Sequence, residues 1–164
     1  MDRVLIEFLR ESNAIEREYS DEALEDSKEA WSYAANFIPA GRKIDIPMIK
    51  TVHKFLLKRL DSRIAGKIRK VQVGVMTKEG FKEAIPHKEI NEELRILCNP
   101  GIYPILSEGL IKRWHVQFEH IHPFEDGNGR VGRILMNIQR LKIDLPILTI
   151  HEGKEQKSYY EWFR

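Results

Sequence analysis

Apolar residues recur at helical spacing over most of the chain. After Asp2, a residue suited to capping, Val4, Leu5, Phe8 and Leu9 predict an N-terminal helix. Ser20, Asp21 and Glu22 open a second helix. Leu24, Trp31, Ala34 and Ala35 carry it toward Phe37, and Pro39-Ala40-Gly41 closes it. The acids in its first turn suit the positive end of the helix dipole. Asp45 caps a third helix, with Pro47 tolerated in its first turn and Ile49, Val52, Leu56 and Leu60 as its buried stripe. The pattern breaks at Gly66. Val71 to Val75 then alternates with period two, Thr77-Lys78-Glu79-Gly80 offers a turn, and Phe81 to Ile85 predicts a returning strand ended by Pro86. Two short strands alone are marginal in water, so this hairpin must pack on helices or act as a flap. Ile90, Leu94 and Leu97 mark another helix, stopped by Asn99-Pro100-Gly101.

Two further helices frame a polar stretch. Leu106, Leu110, Trp114, Phe118 and Ile121 keep near-fourfold spacing, with His115, Glu119 and His122 on an adjacent face. Pro123 turns the chain out of the helix. Val131, Ile134, Leu135, Ile138 and Leu141 describe a buried helix beyond. Between the two lies Ile121-His122-Pro123-Phe124-Glu125-Asp126-Gly127-Asn128-Gly129-Arg130-Val131-Gly132-Arg133.

That order of residues carries chemistry. Glycines on either side of Asn128 let backbone approach a ligand closely, and free N–H groups at a helix start favour an anion. The side-chain amide of Asn128 is expected to join the same phosphate. Arg130 and Arg133 are three apart, so they face the same way and each can fork onto phosphate oxygens. Asp126 can ligate magnesium, which binds through one or two carboxylates plus phosphates. His122 titrates near neutrality and can accept a proton. Phe124 is expected to point inward and anchor the loop. Together these parts suit transfer of a phosphate-centred group to a hydroxyl, with His122 as base.

Plainer readings compete with this one. Gly-Asn-Gly alone is a helix-entry turn. His115, His120 and His122 with Glu119 could suggest a transition-metal site, but no standard zinc spacing is present. A lone histidine is more often structural than catalytic. The whole ordered set outweighs each of these.

Composition changes the picture little. A chain of 164 residues, 42% hydrophobic and 32% charged, reads as one ordinary globular domain spanning 1–164. A net charge of +2 gives no argument for nucleic acid or an anionic membrane as partner. The single cysteine, Cys98, lies in an apolar helical pattern and excludes an internal disulfide. No apolar run is long enough to span a bilayer and no signal pattern opens the sequence, so a cytoplasmic location is the expectation. Trp162-Phe163-Arg164 is expected inside a helix, an ending compatible with a fragment.

The central stretch closely resembles the signature of the Fic family, His-Pro-Phe-x-(Asp/Glu)-Gly-Asn-Gly-Arg-x-x-Arg, at every fixed position. The resemblance implies an all-α bundle with a small β-hairpin flap ahead of the motif, here residues 71–85, and a catalytic motif loop at 122–133. It implies a protein adenylyltransferase, moving AMP from ATP to a Ser, Thr or Tyr hydroxyl of a target protein docked on the flap. By motif position, His122 would deprotonate that hydroxyl, and Asp126 would hold Mg²⁺. Asn128 with the amides of Gly127 and Gly129 would cradle the α-phosphate. Arg130 and Arg133 would bind the outer phosphates. The two glycines fit the adenylylating branch rather than the kinase-like Doc branch, although phosphocholine-transferring relatives share the signature. Self-modification and a homodimer are both compatible with it.

Ser12-Asn13-Ala14-Ile15-Glu16 likewise resembles the family's inhibitory motif, (Ser/Thr)-x-x-x-Glu-(Gly/Asn), and residues 1–19 fall where one class carries its inhibitory helix. Arg17 stands where the motif has Gly or Asn. On spacing alone, Ser12 and Glu16 are a solvated i,i+4 pair; in this context Glu16 is expected to reach Arg133. Three functional readings follow: an autoinhibited adenylyltransferase, an enzyme that removes AMP with the same loop, and a non-catalytic nucleotide-binding regulator.

Overall fold

Seven α-helices and one two-stranded hairpin make up the computed structural model, which describes residues 2–77 and 80–163. The helices are α1 (Arg3–Ala14), α2 (Asp21–Ala35), α3 (Ile46–Leu57), α4 (Ile90–Leu97), α5 (Glu108–Ile121), α6 (Asn128–Leu141) and α7 (Lys154–Tyr160). A 3₁₀ turn, Glu161–Phe163, follows α7. The caps expected from the sequence are in place. Asp2 accepts from the Val4 amide, Ser20 from Ala23 and Asp45 from Met48. Each satisfies one of the orphan donors at a helix start.

The core is built around α6, whose residues from Arg130 to Arg140 are all buried. It touches α1, α2, α3 and α5. Apolar faces of α1 to α6 share one cluster that includes Phe8, Trp31, Met48, Leu94, Phe118 and Leu135. Phe8 meets Trp31 edge to face, with centroids 5.6 Å apart, joining α1 to α2. A smaller cluster of Ile15, Ile111, Met136, Ile150 and Tyr159 joins the end of α1 to the C-terminal segment. Among the described residues no helix is long and apolar enough to cross a membrane.

Three expectations shift. α3 ends at Leu57, leaving Leu60 exposed rather than in the buried stripe. Leu106 is 75% exposed because Ser107 caps α5, its hydroxyl accepting from the Leu110 amide at 3.3 Å; the fourfold spacing runs one step past the helix. The hairpin also starts later than its alternation suggested. β1 (Gly74–Thr77) pairs antiparallel with β2 (Gly80–Glu83), with Gly74 opposite Glu83. The carbonyls of Val71 and Ile85, the expected strand ends, are bound by Arg69 instead. The turn residues Lys78 and Glu79 lie outside the described residues, as does Arg164. Trp162 and Phe163 stand in the 3₁₀ turn, not in a continuing helix.

Candidate active site

His122 closes the C-terminus of α5 in the left-handed region, with φ 49° and ψ 62°. Histidine tolerates this region better than most non-glycine residues. Its backbone N–H still donates to the Phe118 carbonyl, and Pro123 then prevents the helix from continuing. The imidazole is partly buried, and Nδ1 is shut from water without a hydrogen bond of normal geometry. Burial is the main cause that lowers its pKa below the ordinary 6.5. The nearby Glu119 carbonyl resists this shift, Arg69 adds to it, and Glu16 and Asp126 resist it. The neutral imidazole is therefore favoured near pH 7, the form able to take a proton.

The loop after His122 is held from three sides. Asn128 turns its side chain inward: its Oδ1 accepts from the Phe124 amide and its Nδ2 donates to the Phe124 carbonyl, both at 2.9 Å. It is buried, with both ends of the amide occupied. In this fold the Asn128 side chain closes the loop, and its backbone N–H belongs to the first turn of α6. Phe124 is buried as expected and stacks on His53 at 3.7 Å between centroids, the planes 4° apart. His53 accepts from the Gly66 amide at Nδ1 (2.8 Å), so Nε2 carries the proton and donates to the Asp126 carbonyl at 2.9 Å. Burial drives the His53 pKa down to about 4, keeping this ring neutral. Arg69, from the stretch before the hairpin, donates Nε to the His122 carbonyl at 2.7 Å.

At the start of α6 the backbone bends through Gly127, with φ 77°. A side chain there would be strained and would meet Leu57 Cδ2 at 2.7 Å. The amides of Asn128, Gly129 and Arg130 belong to the first turn, where helix N–H groups lack intrahelical partners. Gly129 is where something comes closest: a Cβ would collide with Glu16 Oε1 and lie 2.8 Å from Arg133 Nη1. The carboxylate of Glu16 thus rests against the helix N-terminus where an anion is favoured. Its Oε1 accepts from Arg133 Nη2 at 2.7 Å. Arg133, 2% exposed, also donates Nε to Ser12 Oγ and Nη2 to the Ser12 carbonyl, both at 2.9 Å. Burial works to raise the Glu16 pKa, but Arg133 outweighs it and the carboxyl titrates below its ordinary 4.5. Arg130 is less satisfied. Its Nη2 lies 3.5 Å from Asp126 Oδ2, and its buried Nε has no partner. A buried donor left open beside a helix N-terminus is what a phosphate oxygen would complete.

Asp126 is largely exposed, with Oδ1 accepting from the Gly127 amide at 2.6 Å and Oδ2 facing Arg130 Nη2 at 3.5 Å. No three His, Cys, Asp or Glu side chains among the described residues are grouped to hold a metal ion. His115 is committed elsewhere, 2.7 Å from the Tyr159 hydroxyl, and His120 is exposed; the competing transition-metal reading falls. One exposed carboxylate still fits Mg²⁺, which binds through one or two carboxylates plus phosphates.

Periodicity missed several residues at this site. His53 follows Ile49 by four and precedes Leu57 by four, so a polar residue on the buried face of α3 was its available signal. Arg69 gave none. Tyr159 approaches Arg133 from α7, its ring 5.8 Å from the guanidinium carbon. Glu119 is half-buried with its Oε1 shut from water beside Gly132, and desolvation pushes its carboxyl up to about 8.

A histidine closes one helix, and a glycine-flanked start opens the next across a six-residue loop. The family model described as Fic/DOC matches residues 43–139, and the chain belongs to that family. Among curated relatives, the protein adenylyltransferase Fic of Drosophila willistoni is 29% identical over 121 residues, 72% of this chain and 24% of that protein. That of Culex quinquefasciatus is 33% identical over 75 residues, 46% of this chain and 13% of that protein. The chain spans about a quarter of the length of the first of these relatives. Solved structures share the fold. A Fic-domain-containing signaling protein from Bacteroides thetaiotaomicron superposes with a TM-score of 0.82 at 22% identity, over 95% of this chain and 69% of that one. Fic-1 of C. elegans gives 0.77 at 18%, over 99% and 55%.

Proposed function

We propose that this chain carries the core of a protein adenylyltransferase, held in a low-activity state by Glu16. The observation that carries the reading is the Glu16 carboxylate seated on Arg133 and against Gly129, an anion already in an anion site. Family membership and the names of the relatives support the reaction class.

In this reading ATP lies along the start of α6. The N–H groups of the first turn receive the α-phosphate, and Arg130 uses its open Nε on a more distal one. Arg133 turns from Glu16 to the outer phosphates. Asp126 would hold Mg²⁺, which neutralises charge on the phosphates. Neutral His122 removes the proton from a hydroxyl of the target protein. That oxygen forms a bond to the α-phosphorus, the bond to the bridging oxygen of the β-phosphate breaks, and pyrophosphate leaves. The hairpin at 74–83 offers backbone to an extended target segment, which would register one side chain toward His122.

The test is incubation with α-labelled ATP and Mg²⁺ of the Glu16→Gly variant, alone and combined with His122→Ala. Label on protein is expected for the first and none for the second, with ATP binding by calorimetry retained. Undiminished labelling without the imidazole, or full activity in EDTA, would overturn the assigned roles. Loss of labelling in Glu16→Gly together with AMP release from modified protein by the wild type would turn the reading toward AMP removal.

A further inference from the structure

Arg69 is 1% exposed, and its described hydrogen bonds all end on backbone carbonyls rather than on a carboxylate. Nε donates to His122 O at 2.7 Å, and Nη2 reaches Ile121 O at 3.4 Å. Nη1 donates to Val71 O at 2.9 Å, and Nη2 also to Ile85 O at 2.6 Å. Its own backbone N–H donates to Pro123 O at 3.0 Å. One side chain therefore holds both ends of the hairpin segment and the turn after α5. Ordering a buried cation this way has a cost, which burial shows by lowering the Arg69 pKa. Its compensation is position: the carbonyls ending α5 carry the negative end of the helix dipole. Only a planar fork with several fixed donors serves four carbonyls at once; an ammonium holds the charge but not the geometry.

We propose that Arg69 is a positioning residue that fixes the base of the flap against the turn carrying His122. Ile85 packs against the core, and Arg69 adds the polar tie at the base of the hairpin. Two short strands have little stability of their own, so their distance from the imidazole must be imposed from outside. Arg69 imposes it, and holds the His122 peptide in its left-handed turn by the same bonds. The role of His122 as base rests on the adenylyl-transfer reading; the mechanical link does not.

The test compares Arg69→Lys and Arg69→Gln with the wild-type chain, by NMR titration of the His122 ring and by amide exchange. The groups acting on His122 are Arg69, Glu16 and Asp126, with the Glu119 carbonyl. Arg69 opposes the imidazolium, so losing its charge raises the His122 pKa. Arg69→Gln is expected to titrate higher at His122, and Arg69→Lys to titrate as wild type. Both are expected to expose the Ala84 amide, bonded to Val73 O, on the order of tenfold more, while α6 amides hold. In the transfer assay both lower kcat more than they raise the nucleotide KM. Unchanged Ala84 exchange, an increase spread equally over α6, or an unmoved His122 titration in a folded Arg69→Gln each overturns the proposal. If Arg69→Gln does not fold, the exchange pattern of Arg69→Lys decides. Absence of adenylyl transfer in every variant would refute the functional reading and leave the exchange and titration results to judge Arg69.

Discussion

Glu16 acts on Arg133 through both charge and bulk, and two substitutions separate them. Glu16→Gln keeps the volume against Gly129 and an oxygen for Arg133 Nη2, but removes the charge. Glu16→Gly removes both. Unit charges about 4 Å apart near a protein surface interact by roughly 4 kcal/mol. The Glu16 side chain is 31% exposed, and solvent screening brings this to about 2 kcal/mol. If that energy holds Arg133 away from the nucleotide, Glu16→Gln raises AMP transfer by ~30-fold, at 1.4 kcal/mol per tenfold. Glu16→Gly also frees the space over Gly129, where the phosphate must sit for in-line attack, and correcting such a misplacement brings the total to on the order of a hundredfold or more. The assay is a labelling time course with α-labelled ATP at fixed protein and Mg²⁺. Adding Arg133→Ala to Glu16→Gly should lower transfer again, because the clamp itself is lost. Wild-type rates in both Glu16 variants would refute the lock. Equal rates in the two variants would assign it to charge alone, and the argument from Gly129 would fail.

Three further outcomes are expected. His53 is neutral in the fold with a pKa of about 4 against an ordinary 6.5, so its contribution is complete above pH 6.5 and is lost as pH falls toward 4; at pH 5 this amounts to about 2 kcal/mol, and the stability gap between wild type and His53→Gln in urea titrations should narrow between pH 7 and 5, whereas a constant gap would deny the buried neutral ring. Arg17 adopts φ 59°, a conformation glycine holds without strain, so Arg17→Gly should stabilise the end of α1 by about 0.5–1 kcal/mol and lower basal transfer ~2–5-fold; a rise in basal transfer would contradict this. Proline at Val73 should impair modification of a target protein more than ATP binding, measured by labelling beside calorimetry, and equal loss of both would leave the hairpin as mere cover.

Local patterns were legible in the chain. Asp2, Ser20 and Asp45 announced helix starts because a cap is a contact between near neighbours. The repeat from Trp114 to Ile121 and from Val131 to Leu141 gave two helices, and Pro123 with Gly127 gave the break between them. Ser12 and Glu16 were readable only through resemblance, since on spacing alone they are a solvated pair; the fold brings them to Arg133 across more than a hundred residues. What stayed hidden was long-range. The ring of His53 meets a carbonyl 73 residues away, and Arg69 meets one 53 residues away. No periodicity encodes such a bond. The bonds of Asn128 to a peptide group four residues back were hidden for a related reason, since an amide suited to a phosphate equally suits a peptide group.

The grip on α1 has an outer layer drawn from the far end of the chain. His151 stands between Glu7 and Glu155 at 3.0 and 2.8 Å, the Glu152 amide donates to Glu11, the Tyr19 hydroxyl donates to Glu152, and Gln156 donates to the Ile15 carbonyl. Apart from His151–Glu155, these bonds join residues 133 to 144 positions apart, whereas α5 and α6 are consecutive and meet across a six-residue loop. Loop closure over a longer span loses more entropy and contributes to slow folding. A chain emerging from the ribosome therefore completes the residues of the 122–133 loop before the segment that braces α1 has been made. On that time axis the start of α6 precedes the outer layer on α1, so a chain slowed between the two would pass through an interval in which the one is formed and the other is not.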